Sequence, residues 1–118
     1  GINHLDMKGF NLNTAAQVLS VLDEVAHPNA LLQYDLFHAC REEEDIPAVL
    51  KANINRIGHI QIADVPGRHQ PGSGTMDYPA LFQLLEELGY KGAIGLEYIP
   101  QPNTSESLSW LEAYGYKL

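Results

Sequence analysis

The sequence is poor in cysteine and in basic residues, and it has no long hydrophobic run. A single cysteine, Cys40, excludes a disulfide within the chain and fits a reducing compartment, so we expect a cytoplasmic location. Only seven Lys and Arg residues stand against fifteen Asp and Glu residues, which gives a net charge of −8. Nucleic acid is therefore a poor partner for this chain. No apolar run approaches the roughly 20 residues of a membrane span, so we expect no membrane partner.

Short motifs of several common enzyme classes are also missing. The sequence has no G-x-G-x-x-G, no Walker A motif, no G-x-S-x-G, no H-E-x-x-H and no C-x-x-C pair. These absences remove most of the support for a nucleotide cofactor or a serine hydrolase. They also make an open doubly wound sheet less attractive than a barrel, because such sheets commonly carry a glycine-rich phosphate loop.

Apolar residues alternate between helical and strand-like spacing along the chain. Val18, Leu22 and Val25 recur at helical spacing, whereas IGHIQIA at residues 57–63 is a short apolar run typical of a buried strand. The predicted elements are helices over residues 14–26, 46–53 and 77–88, strands over 30–36, 57–63 and 93–98, and a last helix capped by Ser105. The acidic run 42–45 is expected to open the second helix as solvated charge. Strands separated by helices run parallel, which predicts an α/β fold: a doubly wound sheet or a (β/α)8 barrel.

Three predicted strands end in a side chain that could bind a metal ion. These are Asp35, Gln61 and Glu97, at intervals of 61 − 35 = 26 and 97 − 61 = 36 residues. Each interval is about one βα unit of a barrel that takes roughly 250 residues over eight units. Each side chain alone could be a helix cap or a hydrogen-bonded buried group. Together, at equivalent strand ends, their oxygens predict a site for a divalent cation such as Mg²⁺ or Mn²⁺.

Residues near these strand ends are candidates for contact with a substrate. His38 follows Asp35 by three residues, although a single histidine is often only structural. Arg68 and His69 lie in the Pro/Gly-rich loop that follows the Gln61 strand. A guanidinium group there could bind a substrate carboxylate through two hydrogen bonds, and the alternative is a solvated loop arginine.

Longer segments of the sequence resemble a known family. The segments are QYDLFH, GHIQIADVPGRHQPGSGTMDYPALFQLLEELGYKGAIGLEY and LSWL. They resemble the C-terminal half of hydroxypyruvate isomerase-like proteins, which belong to the xylose isomerase-like TIM-barrel superfamily. The resemblance extends over essentially all 118 residues, so residues 1–118 are expected to form the C-terminal half of a single (β/α)8 domain.

The resemblance also implies roles for individual residues. Asp35, Gln61 and Glu97 match three metal ligands of the family, and Glu97 matches one of its two acid/base carboxylates. His38 matches a substrate-binding histidine, and Arg68 resembles a substrate-binding arginine, with His69 beside it as a further candidate. The family's other acid/base glutamate would fall immediately before Gly1 and has no counterpart in this chain.

The activity implied is isomerisation of a small hydroxy-oxo acid, with hydroxypyruvate and 2-hydroxy-3-oxopropanoate (tartronate semialdehyde) as the lead pair. A sugar 3-epimerase with the same site is an alternative, as is a non-catalytic half-barrel that binds a partner or forms a homo-oligomer. A metal-dependent nuclease is disfavoured by the net charge and by Gln61. The isomerase activity is expected of a whole barrel, and this chain alone is expected to be inactive.

Overall fold

The computed structural model describes residues 1–117 and has a three-stranded parallel sheet with helices between the strands. The strands are β1 (Leu32–Asp35), β2 (Ile57–Ile62) and β3 (Ile94–Leu96), in the order β1-β2-β3. The helices are α1 (Ala15–Val25), α2 (Leu36–Arg41), α3 (Ile46–Asn53), α4 (Tyr78–Glu87), α5 (Thr104–Ser107) and α6 (Trp110–Ala113), with a 3-10 turn at Ile54–Arg56. The predicted α/β fold with parallel strands is confirmed.

The two faces of the sheet differ in chemistry. Tyr34 pairs with Ile60 and Ile60 with Ile94, and this face is buried beneath the helices, with Leu50 of α3 and Tyr78 of α4 also fully enclosed. Successive side chains of a strand point to opposite faces of the sheet, so a different set of residues forms the other face, and that set is polar. It carries a row of hydrophilic groups and one glycine: Gln33, Asp35, His59, Gln61, Gly95 and Glu97.

The helices begin where the sequence provides caps. Thr14 and Gln17 form a capping box at the start of α1, as the predicted boundary required. Asp45 and Asp77 cap α3 and α4, each followed by a proline in the first turn. The α4 helix ends before Gly89, whose φ of +71° is the left-handed conformation that glycine adopts readily.

One local prediction is only partly right and another is wrong. The structure adds the short helix α2 directly after β1. The acidic run 42–45 opens α3 as predicted, and its last residue, Asp45, caps that helix. Two of its acids are not merely solvated: Glu42 accepts from the His4 backbone N–H, and Glu44 accepts from that of Ala15 at 2.7 Å. The C-terminal helix is two short helices rather than one. Asn103, rather than Ser105, caps the first of them, since its side-chain oxygen accepts from the Glu106 N–H at 3.0 Å.

No helix within residues 1–117 is long and apolar enough to cross a membrane.

Candidate functional site

The carboxyl ends of the parallel strands place the three predicted ligands at one edge of the sheet. Asp35 pairs in register with Gln61, and Gln61 with Gly95. Glu97 lies two residues beyond Gly95 on the same face, and its backbone N–H donates to the carbonyl of Ile62 at 3.1 Å. This is the edge at which α/β proteins carry their chemistry.

The two carboxylate oxygens of Asp35 have different contacts. Oδ1 accepts hydrogen bonds from the backbone N–H groups of Phe37 at 3.0 Å and His38 at 3.2 Å, so it caps α2. Oδ2 lies 3.9 Å from Nε2 of His38. The carboxylate is buried, and its second oxygen therefore faces the strand-end edge rather than the helix.

His38 is buried beside Asp35 and is held from behind by Asn3. Its Nδ1 lies 2.7 Å from the Asn3 side-chain nitrogen and 3.3 Å from the Asn3 backbone nitrogen. Burial lowers the pKa of His38, because desolvation disfavours the imidazolium form, while the nearby Asp35 carboxylate acts in the opposite direction. Asn3 could not be predicted from the sequence, because its link to His38 spans 35 residues.

Arg68 joins the site from the loop after β2. Its Nη2 donates to Oε1 of Glu97 at 3.0 Å, and its guanidinium carbon lies 5.0 Å from the ring centre of Phe37. Phe37 in turn meets the ring of His38 edge-on, at 5.4 Å between centroids. Arg68 itself has a φ of +60°, a left-handed conformation that is uncommon for a non-glycine residue.

A buried carboxylate, Asp64, shapes the loop that carries Arg68. It accepts from the backbone N–H groups of Gly72, Gly74 and Met76 at 2.9–3.0 Å. A Cβ atom on Gly74 would lie 1.8 Å from a backbone oxygen, so this close approach requires glycine. From the sequence the segment was predicted only as a Pro/Gly-rich loop. A signal for Asp64 is nevertheless present, because an aspartate directly after a buried strand is followed by two closely spaced glycines.

Not all predicted residues have side chains pointing at one another. Gln61 accepts from the side-chain amide of Gln33, a neighbour on the same face. His69 donates from Nδ1 to the backbone carbonyl of Ile99 at 2.7 Å and so ties its loop to the segment after β3. Asp35, His38, Arg68 and Glu97 are the residues that the structure links through a chain of contacts.

The donor chemistry of Asp35, Gln61 and Glu97 fits a hard divalent cation. Within residues 1–117, no three His, Cys, Asp or Glu side chains are close enough to hold a metal ion. The predicted set contains only two carboxylates, and its third oxygen is an amide. All three lie at one strand-end edge, and Oδ2 of Asp35 is not used by the helix cap. Gln61 and Glu97 would exchange their present side-chain partners for the cation.

Comparison with known proteins gives consistent matches. A family model described as xylose isomerase-like TIM barrel matches residues 3–114. The chain is 40% identical to hydroxypyruvate isomerase of Escherichia coli and 44% identical to 2-oxo-tetronate isomerase of Cupriavidus necator, each over 96% of this chain. It spans 44% of the length of each of these relatives.

Solved structures also match most of this chain with less than half of their own length. A Brucella melitensis protein described as an AP endonuclease of family 2 has a TM-score of 0.91 and 34% identity over 96% of this chain and 44% of its own. A 3-keto-D-glucoside 4-epimerase from Escherichia coli has a TM-score of 0.82 and 30% identity over 95% of this chain and 43% of its own. The predicted half-barrel and the resemblance to hydroxypyruvate isomerase-like proteins are confirmed.

Proposed function

Because the chain belongs to the xylose isomerase-like TIM-barrel family, we propose that it supplies half of the active site of an isomerase acting on small hydroxy-oxo acids. The lead reaction interconverts hydroxypyruvate and 2-hydroxy-3-oxopropanoate. Relatives at 40–44% identity carry the names hydroxypyruvate isomerase and 2-oxo-tetronate isomerase, and both names describe isomerases of oxo acids.

The observation that carries this proposal is the Arg68–Glu97 pair at the strand-end edge. The two side chains meet at 3.0 Å, with Phe37 beneath the guanidinium and with His38 and Asp35 beyond it. A substrate carboxylate can replace Glu97 as the partner of Arg68, because a guanidinium group can bind any carboxylate through one or two of its N–H groups. That exchange brings an oxo acid next to a carboxylate able to move a proton.

A divalent cation is part of the proposal. Asp35, Gln61 and Glu97 would hold it, and Mg²⁺ or Mn²⁺ suits their oxygen donors. When bound, the cation supplies positive charge that stabilises negative charge on the substrate oxygens.

The residues of this chain divide the remaining work. Arg68 binds the substrate carboxylate, and His38 orients a substrate oxygen from its buried position. Glu97 takes a proton from a carbon next to the carbonyl, which yields an enediolate. A second group then delivers a proton to the neighbouring carbon, and the hydroxyl proton moves to the former carbonyl oxygen. His69 lies in the same loop as Arg68, and we assign it a supporting contact with substrate.

The second acid/base group would come from outside the present chain. Asn3 contacts His38, which lies beside Asp35, so the start of the chain approaches the same strand-end edge. In the family a glutamate occupies the position before Gly1. A glutamate at that position would approach this edge and could deliver a proton to the neighbouring carbon after Glu97 has taken one.

A sugar epimerase is the second candidate, because a solved structure at 30% identity is described as a 3-keto-D-glucoside 4-epimerase. The two candidates differ at Arg68. An oxo acid gives the guanidinium a charged partner, whereas a neutral sugar leaves it paired with Glu97. A non-catalytic half-barrel is the third outcome, and it predicts no turnover of either substrate class.

The test is an assay of the protein that carries this chain, with hydroxypyruvate and with neutral ketoses in the presence of Mg²⁺ or Mn²⁺. We expect the unmodified protein to turn over hydroxypyruvate. Glu97→Gln should lower kcat roughly 10²–10⁴-fold, as is typical for loss of a general acid or base, while its circular dichroism stays native. Glu24→Gln, on the outer helix α1, is the matched control and should leave kcat unchanged. Near-normal turnover by Glu97→Gln would refute the assignment.

A further inference from the structure

We infer that Asn3 is a positioning residue: it holds His38 as the neutral tautomer with its proton on Nε2, so that His38 donates a hydrogen bond to the substrate and does not act as a base. The identity of the substrate rests on the function proposed above. The tautomer does not, because it follows from hydrogen bonds within residues 3–38.

The orientation of the Asn3 side chain is fixed from its other end. Its Oδ1 accepts from the backbone N–H of Asp6 at 2.8 Å, a contact that an amide nitrogen could not make. The Nδ2 group must therefore point the other way, toward His38. Asn3 is completely buried, so no solvent competes for either end of the amide.

Two donors then converge on one ring nitrogen of His38. Nδ2 of Asn3 lies 2.7 Å from Nδ1, and the backbone N–H of Asn3 donates to the same atom at 3.3 Å. A nitrogen that accepts two hydrogen bonds cannot carry a proton. The proton of the neutral ring therefore lies on Nε2.

The donor this creates faces the strand-end edge. Nε2 lies 3.9 Å from Oδ2 of Asp35, too far for a hydrogen bond but close enough for the carboxylate to favour an N–H there. A substrate oxygen placed near these groups would receive the Nε2–H. His38 then polarises the carbonyl, and proton removal is left to carboxylates such as Glu97.

The tautomer can be measured without any activity. In the 118-residue chain labelled with ¹⁵N, long-range ¹H–¹⁵N spectra at pH 8 report which ring nitrogen of each histidine is protonated, and loss of a signal in His38→Gln assigns it. We expect His38 to be protonated on Nε2 only. Protonation on Nδ1 in the unmodified chain would overturn the inference, whatever the variants do.

Asn3→Asp is the variant that should reverse the tautomer. A carboxylate can only accept, so it would draw the proton to Nδ1 and leave Nε2 as an acceptor. Lys8→Ala is the matched control in the same N-terminal loop, because Lys8 is exposed, and it should keep the proton on Nε2. An unchanged tautomer in a folded Asn3→Asp chain would contradict the role of Asn3.

Kinetics then separate this inference from the proposed function. In the protein that carries this chain, Asn3→Asp should lower kcat for hydroxypyruvate on the order of 10²-fold, the usual loss for removing one oriented donor. Lys8→Ala should leave kcat unchanged. If the tautomer is as expected but the unmodified protein does not turn over oxo acids, the proposed function fails and the positioning of His38 by Asn3 stands. If turnover is normal in Asn3→Asp with a reversed tautomer, the donor role of His38 fails.

Discussion

Arg68 has three properties that a solvated loop arginine would not combine. It pairs with Glu97 at 3.0 Å, lies over the ring of Phe37, and adopts a left-handed backbone conformation. The stacking needs a flat cation, and the guanidinium has further N–H groups besides the one that donates to Glu97. Lysine offers only a point charge, so Arg68→Lys is not a conservative change here.

Replacing Arg68 should weaken the binding of acidic substrates selectively. In the protein that carries this chain, Arg68→Met should raise KM for hydroxypyruvate roughly 10- to 100-fold, the equivalent of losing a charged hydrogen bond worth about 1.5–3 kcal/mol. Arg68→Lys should have a KM between those of the unmodified protein and Arg68→Met. The measurement is steady-state kinetics on hydroxypyruvate and on a neutral ketose, for which the change should be much smaller.

Arg56→Met is the control for that experiment, because Arg56 pairs with Asp23 on the outer surface, away from the strand ends. It should leave both KM values unchanged. Equal losses on the acid and on the ketose would argue that Arg68 supports the loop and does not bind the substrate carboxylate.

Asp64 is the residue on which the Arg68 loop depends. The buried carboxylate accepts backbone hydrogen bonds from across the loop, and an amide in its place turns one acceptor into a donor facing other donors. We therefore expect Asp64→Asn to lower the free energy of unfolding by about 2–4 kcal/mol.

Urea denaturation followed by circular dichroism measures this loss. The control is Asp77→Asn at the start of α4, where aspartate accepts from the Ala80 N–H at 3.1 Å and asparagine caps about as well. It should change the free energy of unfolding by less than about 0.5 kcal/mol. Similar stabilities for both variants would contradict the role given to Asp64.

The candidate site could be predicted only in part at this scale. Asp35, Gln61 and Glu97 were predicted from their positions at strand ends, and the structure places them at one edge of the sheet. Asn3 and Asp64 were missed as supports, because they act through backbone contacts and long-range pairs that have no local sequence period. Whether the predicted ligands hold a metal ion stays a prediction.

At the scale of elements, the segment 3–6 makes three contacts with α2 and its C-cap residue, Glu42. Asn3 meets His38, His4 meets Glu42, and Asp6 pairs with Arg41 through two hydrogen bonds. The helix that carries His38 is only six residues long, so its own hydrogen bonds give it little stability. The segment 3–6 therefore stabilises the position of α2.

These contacts should weaken in acid. The Arg41 guanidinium lowers the pKa of Asp6, and the His4 backbone N–H lowers the pKa of Glu42, below their usual values of 3.8 and 4.5. Carboxylates with a lowered folded pKa stabilise the folded state above the unfolded pKa, and that stability is lost as pH falls through the folded value. The segment should thus stay docked at pH 6 and loosen below about pH 4.

Amide chemical shifts of residues 3–6, followed by NMR from pH 6 to pH 2.5, test this expectation. The His4 amide should move toward its random-coil position at low pH, and added salt should reduce the Asp6–Arg41 contribution, because exposed charges are screened. In Glu42→Gln the acid step at His4 should disappear. An acid step of the same size in that variant would show that another group controls the docking.

Helices with a clear period were predictable, and the short ones were not. The α1, α3 and α4 helices combine apolar spacing with a capping residue, so their predicted ranges agree with the structure to within one or two residues. The α2 helix has too few turns to show a period, and it begins at the residue that ends a strand. Asn103 was not recognised as a cap, because Ser105 offers an equally good capping side chain two residues later.

At the scale of the molecule, the parallel sheet explains why the chain resembles part of a barrel. Its helix-covered face is apolar, whereas the opposite face carries Gln33, His59 and Gln61 and is partly open to solvent. In a barrel such a face lines the interior. The half-barrel was predicted from strand ends spaced one βα unit apart. It agrees with the comparisons, in which the chain spans 44% of the length of two relatives.

The outer edge of β3 is where the missing contacts should matter most. Leu96 is 44% exposed there, and with Phe82, Trp110 and Tyr116 it lines an apolar cavity of about 370 Å³. Apolar surface of this kind, next to unpaired strand atoms, favours association. We therefore expect the 118-residue chain alone to self-associate and to show little or no isomerase activity.

Sedimentation velocity over a range of concentrations tests the association, and Leu96→Lys tests its location. A charge at this edge opposes the burial that association requires, so the variant should shift toward monomer while its circular dichroism stays native. Val25→Lys, at the exposed end of α1, adds the same charge far from β3 and should associate as the unmodified chain does. If all three chains are monomeric, the edge needs no partner. Leu96 lines the cavity, whereas Val25 does not. If both variants dissociate equally, the added charge itself, rather than its position at the β3 edge, is responsible.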